Sequence, residues 1–407
     1  MGLYLNPRND SFQQAINNPI YVDKSLLINY TNQLIGTGDN KLCVSRPRRF
    51  GKSTDANMLV AYYSKGCDSQ YIFDSLKISQ TDHYLKHLNK HHVIHINIQS
   101  FLSNTHNIDK MIQLLTARIL NEFKQEYSIT FFDETNLSLS LEDIYASTKN
   151  QFIFIIDEWD CIFREYKQDK EAQKQYLDFL RNLLKDKPYV ELAYMTGILP
   201  IKKYGTHSAL NMFEEISMID PGLLPEFMGF TEAEVQDLCI QYNVSYDEMK
   251  QWYDGYHLTD EISTFSPRSV VMSLTRKEFG NYWTSTETYE ALKFYIDINK
   301  DGLKDDVIKM LAGENVPVQT SSFQNDMSTF EVKDDVLTLL IHLGYLGYLK
   351  KEKQAYIPNK EVIDSFANSI KSSNWHESTK ALLNSRELLE ATWRQDEEAV
   401  ARYIEEA

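Results

Sequence analysis

The sequence has few of the residues that mark a secreted, zinc-binding or membrane-spanning protein. Its four cysteines are scattered through 407 residues without a Cys-x-x-Cys pair, so neither a disulfide framework nor a zinc ribbon is indicated. The longest apolar runs, such as Phe152 to Ile156, have about five residues, whereas a membrane span needs roughly 18. The N-terminus lacks the basic start and apolar core of a signal peptide. We therefore expect reduced thiols, a cytoplasmic location and no membrane partner.

Glycine, proline and positive charge are also sparse. There are 15 glycines and 10 prolines, and 42 basic residues face 58 acidic ones, a formal net charge of −16. This balance argues against sequence-independent nucleic-acid binding by the whole surface, although one local basic groove remains compatible with it. A hydrophobic share of 43% is enough for a large core. The length favours two or three domains.

Short apolar segments alternate with amphipathic ones between residues 40 and 220. Strands are predicted at 42–44, 93–98, 152–156 and 190–195, and helices at 55–64, 111–123 and 176–184. This alternation predicts an α/β fold with a mostly parallel sheet covered on both faces. After Pro221 the pattern becomes helical, and Thr231 to Glu234 has the form of a capping box. Residues 330–373 suggest a helix, a hairpin and a second helix, as in a winged-helix-like module.

The segment Arg46–Ser53 has the sequence context of a phosphate-binding P-loop. It follows an apolar strand and opens a helix, so backbone N–H groups and the helix dipole would face the phosphates. Lys52 would reach the β- and γ-phosphates, and Ser53 would supply a hydroxyl to Mg²⁺. Arg46 stands where the full pattern has glycine, so the chain must enter the loop with a backbone conformation different from the usual glycine bend. The alternative is a basic surface turn. The predicted nucleotide-binding residues here are Arg46, Pro47, Arg48, Arg49, Phe50, Gly51, Lys52, Ser53 and Thr54.

A second motif, Asp157-Glu158, ends the apolar strand that begins at Phe152. On the strand neighbouring a P-loop, Asp157 would hold Mg²⁺ and Glu158 would polarise the attacking water. The alternative is an acidic cap at a strand end. Thr196 ends a further strand, where it would either sense the γ-phosphate or serve as an ordinary strand-end threonine. Two arginines on flanking helices, Arg164 and Arg181, could act in trans as arginine fingers, but solvated helix faces are favoured.

Together these motifs resemble a family of bacterial and archaeal AAA-ATPase-like proteins of mobile-element or defence type, usually fused to a PD-(D/E)XK nuclease. The matching segments, in chain order, are Tyr21 to Ser25, Arg46 to Ser53, Ile156 to Asp160, Thr196 to Lys202, His207 to Asn211, Gly229 to Thr231 and Trp252 to Tyr256.

The resemblance implies an AAA+-like or STAND-like P-loop NTPase with ATP and Mg²⁺ as ligands. It implies an ATPase core followed by a helical lid. Together with the pattern above, this predicts a core over 1–225, a helical lid over 226–330, the winged-helix-like module over 331–373 and a helical linker over 374–407. No Asp…Glu-x-Lys pattern on a strand follows, so we expect that either the nuclease was lost or the chain is a fragment. No nuclease activity is expected of this chain. A homo-oligomer and a nucleic-acid or nuclease partner are compatible with the family.

In such folds the region holding Tyr21 and Asp23 often covers the adenine, and a core tyrosine with a capping aspartate is the alternative. Three functions compete. The first is an ATPase catalysed by Lys52, Glu158 and Thr196. The second is a nucleotide-gated STAND-like switch with little turnover. The third is a small-molecule phosphotransferase, which Glu158 disfavours because such kinases need no water-polarising carboxylate.

Overall fold

The computed structural model describes residues 2–127, 130–201, 210–283, 289–325, 327–371, 391–393 and 395–406. The chain divides into two compact units. The first comprises residues 1–229 and 324–329, and the second comprises 230–323 and 330–407. The four domain ranges given above remain predictions, and residues 374–390, 394 and 407 of the predicted linker lie outside the described residues.

The first unit is built on a five-stranded parallel sheet. Its strands lie side by side in the order β2-β3-β4-β1-β5. Every residue of β3 is buried. Because side chains alternate between the faces of a sheet, both faces must be covered. The predicted three-layer α/β core is therefore confirmed. The strands are β1 (Lys41–Ser45), β2 (His92–Asn97), β3 (Phe152–Asp157), β4 (Val190–Gly197) and β5 (Glu214–Ile216).

One expectation about this sheet is wrong. The strand that ends in Asp157 is not the neighbour of the strand before the P-loop, because β4 lies between β3 and β1. Thr196 of β4 is in register with Asp157 on one side and with Val44 on the other. Local sequence patterns define each strand but carry no information about which strands pair, and this expectation depended on pairing.

Some helices of the first unit begin at a residue whose side chain caps the helix. The helix that precedes β4 starts at Asp169, whose carboxylate accepts a hydrogen bond from the N–H of Ala172. It buries Leu177, Leu180 and Leu184 at helical spacing. The helices are α1 (Asp10–Ile16), α2 (Leu26–Leu34), α3 (Lys52–Tyr63), α4 (Gln70–Phe73), α5 (Tyr84–His87), α6 (Ile98–Thr105), α7 (Ile108–Tyr127), α8 (Leu137–Thr148), α9 (Cys161–Glu165) and α10 (Lys170–Leu184).

The second unit is mainly helical. The predicted capping box is present at the start of α11, where Thr231 and Glu234 exchange backbone-to-side-chain hydrogen bonds. Its helices are α11 (Glu232–Tyr242), α12 (Tyr246–Tyr253), α13 (Pro267–Arg276), α14 (Tyr289–Asp297), α15 (Leu303–Leu311), α16 (Lys333–Leu343), α17 (Lys360–Lys371) and α18 (Glu397–Glu406). Its strands are β6 (Phe230–Thr231), β7 (Tyr256–His257), β8 (Ser263–Phe265), β9 (Val316–Pro317), β10 (Gly347–Leu349) and β11 (Gln354–Tyr356).

The segment predicted to be winged-helix-like has the expected order of helix α16, hairpin β10–β11 and helix α17. The hairpin also gains a third strand, because β9 pairs antiparallel with β11 from outside the predicted module. Its winged-helix character therefore remains a prediction.

Candidate functional site

The loop between β1 and α3 makes a sharp turn at the carboxyl edge of the sheet. Gly51 caps α3 with a left-handed φ of 86°, and Arg49 also has a positive φ, 64°. A Cβ atom at Gly51 would meet nothing within 4 Å, so backbone conformation rather than crowding favours glycine there. Arg48 and Arg49 are exposed, whereas Pro47 and Phe50 are buried. The turn therefore offers cationic side chains and the amino end of a twelve-residue helix to solvent.

Lys52 lies across the inside of this loop. Its side chain is buried, and the ammonium donates hydrogen bonds to the backbone carbonyls of Arg46 and Pro47 at 3.0 and 2.8 Å. Burial lowers the pKa of Lys52 to about 8, against the opposing influence of the Glu158 and Asp160 carboxylates. An ammonium has three N–H donors, and its position under the loop makes it a ready partner for an anion seated there.

Ser53 and Asp157 meet although they lie 104 positions apart. The hydroxyl of Ser53 donates to Oδ2 of Asp157 at 2.7 Å, and Oδ1 of Asp157 accepts from the N–H of Glu158 at 2.9 Å. Asp157 is buried, and burial raises its pKa. An exposed hydroxyl beside a carboxylate is the hard oxygen donor pair that Mg²⁺ prefers, with its other positions left to water and phosphate. The residues present therefore fit a magnesium ion.

Thr196 lies between these two elements at the tip of β4. It is fully buried, and its hydroxyl donates to the carbonyl oxygen of Val44 at 3.0 Å. Thr54 follows Ser53 in the first turn of α3 and is half-buried. The structure thus brings Lys52, Ser53, Asp157 and Thr196 to one edge of the sheet.

Glu158 lies next to Asp157 but is engaged elsewhere. Its backbone is left-handed, with a φ of 55°, and its carboxylate forms an ion pair with the guanidinium of Arg164. The Arg164 side chain is 12% exposed, so the solvated-face interpretation of this arginine is wrong. Arg181, by contrast, is exposed on α10. Apart from their six-residue spacing, no pattern in the sequence indicates that Glu158 and Arg164 form a pair.

The Arg46 side chain is directed into the protein. It is 2% exposed, and its guanidinium forms an ion pair with Asp55 of α3 and donates to the carbonyl oxygens of Phe227 and Phe50. The residue that replaces the usual glycine therefore ties the loop to the first turn of its own helix. Asp55 was not identified from the sequence, and an acidic residue in a first helical turn is too common to have indicated this contact.

The Tyr21–Asp23 segment makes contacts typical of a structural role. The two carboxylate oxygens of Asp23 accept from the backbone N–H groups of Ser25 and Lys77 at 2.8 and 2.7 Å. The Tyr21 ring packs edge-on against Phe12, with centroids 6.2 Å apart, and burial raises the pKa of its phenol. These contacts match the core-tyrosine alternative, and the role in covering a base stays a prediction.

Comparisons with known proteins bear on this geometry. Residues 10–206 match the family described as "Predicted AAA-ATPase". With a P-loop after β1, an acidic pair after β3 and the observed strand order, the first unit has the α/β P-loop NTPase fold. Of the other segments that resemble the family, residues 202–209 lie outside the described residues.

One individual relative has a low sequence identity to the chain. The chain is 26% identical over 279 residues to an uncharacterized protein in the vnfD 5′ region of Azotobacter chroococcum mcd 1. That alignment covers 66% of this chain and 51% of the relative, so the chain spans about half of the relative's length.

Two solved structures are also similar to the chain. The Walker-type ATPase of Pyrococcus abyssi is 13% identical, with a TM-score of 0.41 and coverage of 86% of this chain and 97% of that one. The ORC2 protein of Aeropyrum pernix, in ADPNP–ADP complexes, is 12% identical, with a TM-score of 0.36 and coverage of 87% and 97%. The fold assignment rests on the strand order and the family match. Among the described residues, no helix combines the length and apolar composition that a membrane span requires.

Proposed function

We propose that this protein binds Mg-ATP at the edge of the parallel sheet and hydrolyses it. The observation that carries the proposal is the 2.7 Å contact between Ser53, in the first turn after the loop, and Asp157, at the end of β3. This contact places the amino end of α3, which can bind an anion, beside the acidic end of β3. A metal–triphosphate complex needs both of these parts. The match of residues 10–206 to the family of predicted AAA-ATPases supports the same assignment.

Each residue has a defined task in this proposal. Backbone N–H groups from Gly51 onward receive phosphate oxygens at the start of α3. Lys52 exchanges its two carbonyl partners for the β- and γ-phosphates. Ser53 and Asp157 hold Mg²⁺, which when bound would neutralise charge on the phosphate oxygens.

Two further residues act on the terminal phosphate and the attacking water. Glu158 orients and polarises the water, and Thr196 senses the γ-phosphate from the tip of β4. The exposed side chains of Arg48 and Arg49 add positive potential at the rim of the loop.

Steady-state phosphate release, measured together with ATP binding, tests this function. We expect Lys52→Ala to weaken ATP binding by at least about tenfold, since a charge-assisted contact is lost. Glu158→Gln should bind ATP like the wild type but turn it over about 100-fold more slowly, the lower range for loss of a general base. Lys110→Ala, at an exposed lysine of α7, is the matched control and should change neither quantity.

The alternative is a nucleotide-gated switch of STAND type with little turnover, and the Glu158–Arg164 ion pair favours it because the carboxylate is occupied. Under this alternative, wild type would bind ATP yet release phosphate no faster than Glu158→Gln or Lys52→Ala. That result would rule out hydrolysis as the function.

The family resemblance extends the proposal to biological role. We propose that the chain is the ATPase module of a mobile-element or defence-type system, with a nucleic-acid or nuclease partner. A gel-shift titration with duplex DNA tests the nucleic-acid part. Binding that weakens steeply between 50 and 200 mM salt, the range over which phosphate contacts are screened, would support it. No shift at the lower salt concentration, with and without Mg-ATP, would contradict it.

A further inference from the structure

The carboxylate assigned to the attacking water is already held by its own chain. Glu158 Oε2 is paired with a terminal nitrogen of Arg164, which lies six residues further on in α9. The two side chains are 26% and 12% exposed. At this degree of burial the pair is only weakly screened by water, unlike the surface ion pairs that contribute little.

Arg164 is in turn anchored by a second carboxylate. Its Nε lies 3.2 Å from Oδ2 of Asp160, which is fully buried. The same oxygen accepts hydrogen bonds from the N–H groups of Ile198 and Leu199, at 3.1 and 2.9 Å, just after β4. These two hydrogen bonds fix Asp160, and its carboxylate forms an ion pair with Arg164 without a hydrogen bond to Nε.

The packing around this anchor leaves little room for movement. A Cβ atom at Gly197 would lie 2.5 Å from Oδ1 of Asp160 and 2.7 Å from the Trp159 ring. Glycine therefore lets the end of β4 close onto the turn that follows β3. The Asp160 carboxylate that contacts Arg164 is therefore held between these two closely packed segments of backbone.

We propose that Arg164 is a positioning residue that restrains hydrolysis by holding Glu158 away from the attacking water. A carboxylate whose charge is offset by a guanidinium, and whose oxygen already accepts a strong hydrogen bond, polarises a water molecule less effectively. Hydrolysis then requires the Glu158–Arg164 contact to open while the Arg164–Asp160 contact stays in place. This inference rests on the proposed ATPase function.

Arg164→Gln tests the restraint because it removes the charge and keeps a polar side chain. We expect kcat for phosphate release to rise on the order of tenfold, the effect of losing one charge-assisted contact from the resting state. KM and the dissociation constant for ATP should stay unchanged, because Arg164 is assigned no contact with the nucleotide. Arg164→Lys, which keeps the charge but loses the planar fork, should give a smaller rise.

The matched control is Arg118→Gln, the same change at an exposed arginine of α7, and it should leave kcat unaltered. In the double variant Glu158→Gln/Arg164→Gln the gain should vanish, because the restraint acts only through Glu158. A merely structural role would instead lower kcat or raise KM. If circular dichroism shows that Arg164→Gln does not fold, the expected rise in kcat of Arg164→Lys is the test.

The outcomes separate the two proposals. If wild type exceeds Glu158→Gln in turnover but folded Arg164 variants do not exceed wild type, the restraint is disproved and the ATPase function stands. If neither wild type nor Arg164→Gln turns over ATP faster than its Glu158→Gln counterpart, both proposals fail.

Discussion

Arg46 and Asp55 show how one residue can change the construction of a phosphate loop. Where a glycine would bend the chain freely, Arg46 is held by an ion pair to the first turn of α3 and by the carbonyl oxygen of Phe227. Both charged side chains are at least 94% buried. A buried pair of this kind depends on both members, because either one alone would be an uncompensated charge in the interior.

Arg46→Met should therefore be strongly destabilising. We expect a loss of about 3–5 kcal/mol in the free energy of unfolding of the first unit, the cost of stranding a buried carboxylate. Adding Asp55→Leu should recover part of this loss, because two apolar side chains leave no buried charge. Urea unfolding followed by tryptophan fluorescence measures both variants. A loss below about 1 kcal/mol for Arg46→Met, or no recovery in the double variant, would contradict this role.

At the level of single residues, the sequence predicts which side chains could bind phosphate and Mg²⁺, but not which charged side chains are buried in ion pairs. Lys52, Ser53 and Asp157 could be predicted because their residue types and strand–helix context follow from how phosphates and Mg²⁺ are bound. Neither the Arg46–Asp55 pair nor the Glu158–Arg164 pair could be predicted. Arginine and carboxylate residues at such spacings are common on solvated helix faces, and only the fold decides which of them become buried.

Among the elements, the strongly apolar strands were predictable and the weak ones were not. The strand β3 is predicted by its five consecutive apolar residues. By contrast, β5 is a short edge strand of Glu214, Glu215 and Ile216, in which both glutamates are exposed. Charged side chains on an edge strand protect it from pairing with other chains, and they also remove the apolar signal. The position of β4 between β1 and β3 is likewise a long-range property.

In the second unit, Glu361 of α17 joins separate elements through one buried carboxylate. Its Oε1 accepts from the backbone N–H groups of Tyr282 and Trp283, both at 2.6 Å, and its Oε2 accepts from the hydroxyl of Ser269 at 2.6 Å. Glu361 is 1% exposed. It satisfies donors that have no access to water.

Replacing this acceptor should therefore matter more than replacing its charge. Glu361→Leu keeps the volume but strands two backbone N–H groups, and at about 1–3 kcal/mol for each unsatisfied donor it should sharply lower the Tm. Glu361→Gln keeps an oxygen for both N–H groups and should lower the Tm much less. Differential scanning calorimetry of the two variants measures the contrast. Equal Tm losses would show that the hydrogen bonds to Tyr282 and Trp283 do not stabilise this unit.

For the whole molecule, the net charge is negative, whereas the side chains around the proposed phosphate loop are positively charged. The chain carries a formal net charge of −16, yet the nucleotide it is proposed to bind is itself an anion. Capture must then depend on short-range features, namely the amino end of α3, Lys52 and the rim arginines Arg48 and Arg49, because distant carboxylates are screened beyond about 8 Å at physiological salt. Mg²⁺ would reduce the remaining repulsion by lowering the charge of the triphosphate.

Binding at this edge should stabilise the folded chain. A ligand that binds only the folded state adds about 2.7 kcal/mol at 100 times its dissociation constant. We therefore expect Mg-ATP to raise the Tm of the wild type by several degrees in a thermal-shift experiment, EDTA to reduce the rise and Lys52→Ala to reduce it to about half or less. The non-hydrolysable analogue ADPNP with Mg²⁺ should act like ATP, because stabilisation requires binding and not turnover. An equal rise in Lys52→Ala and wild type would place the nucleotide away from this loop, since Lys52 lies directly beneath it.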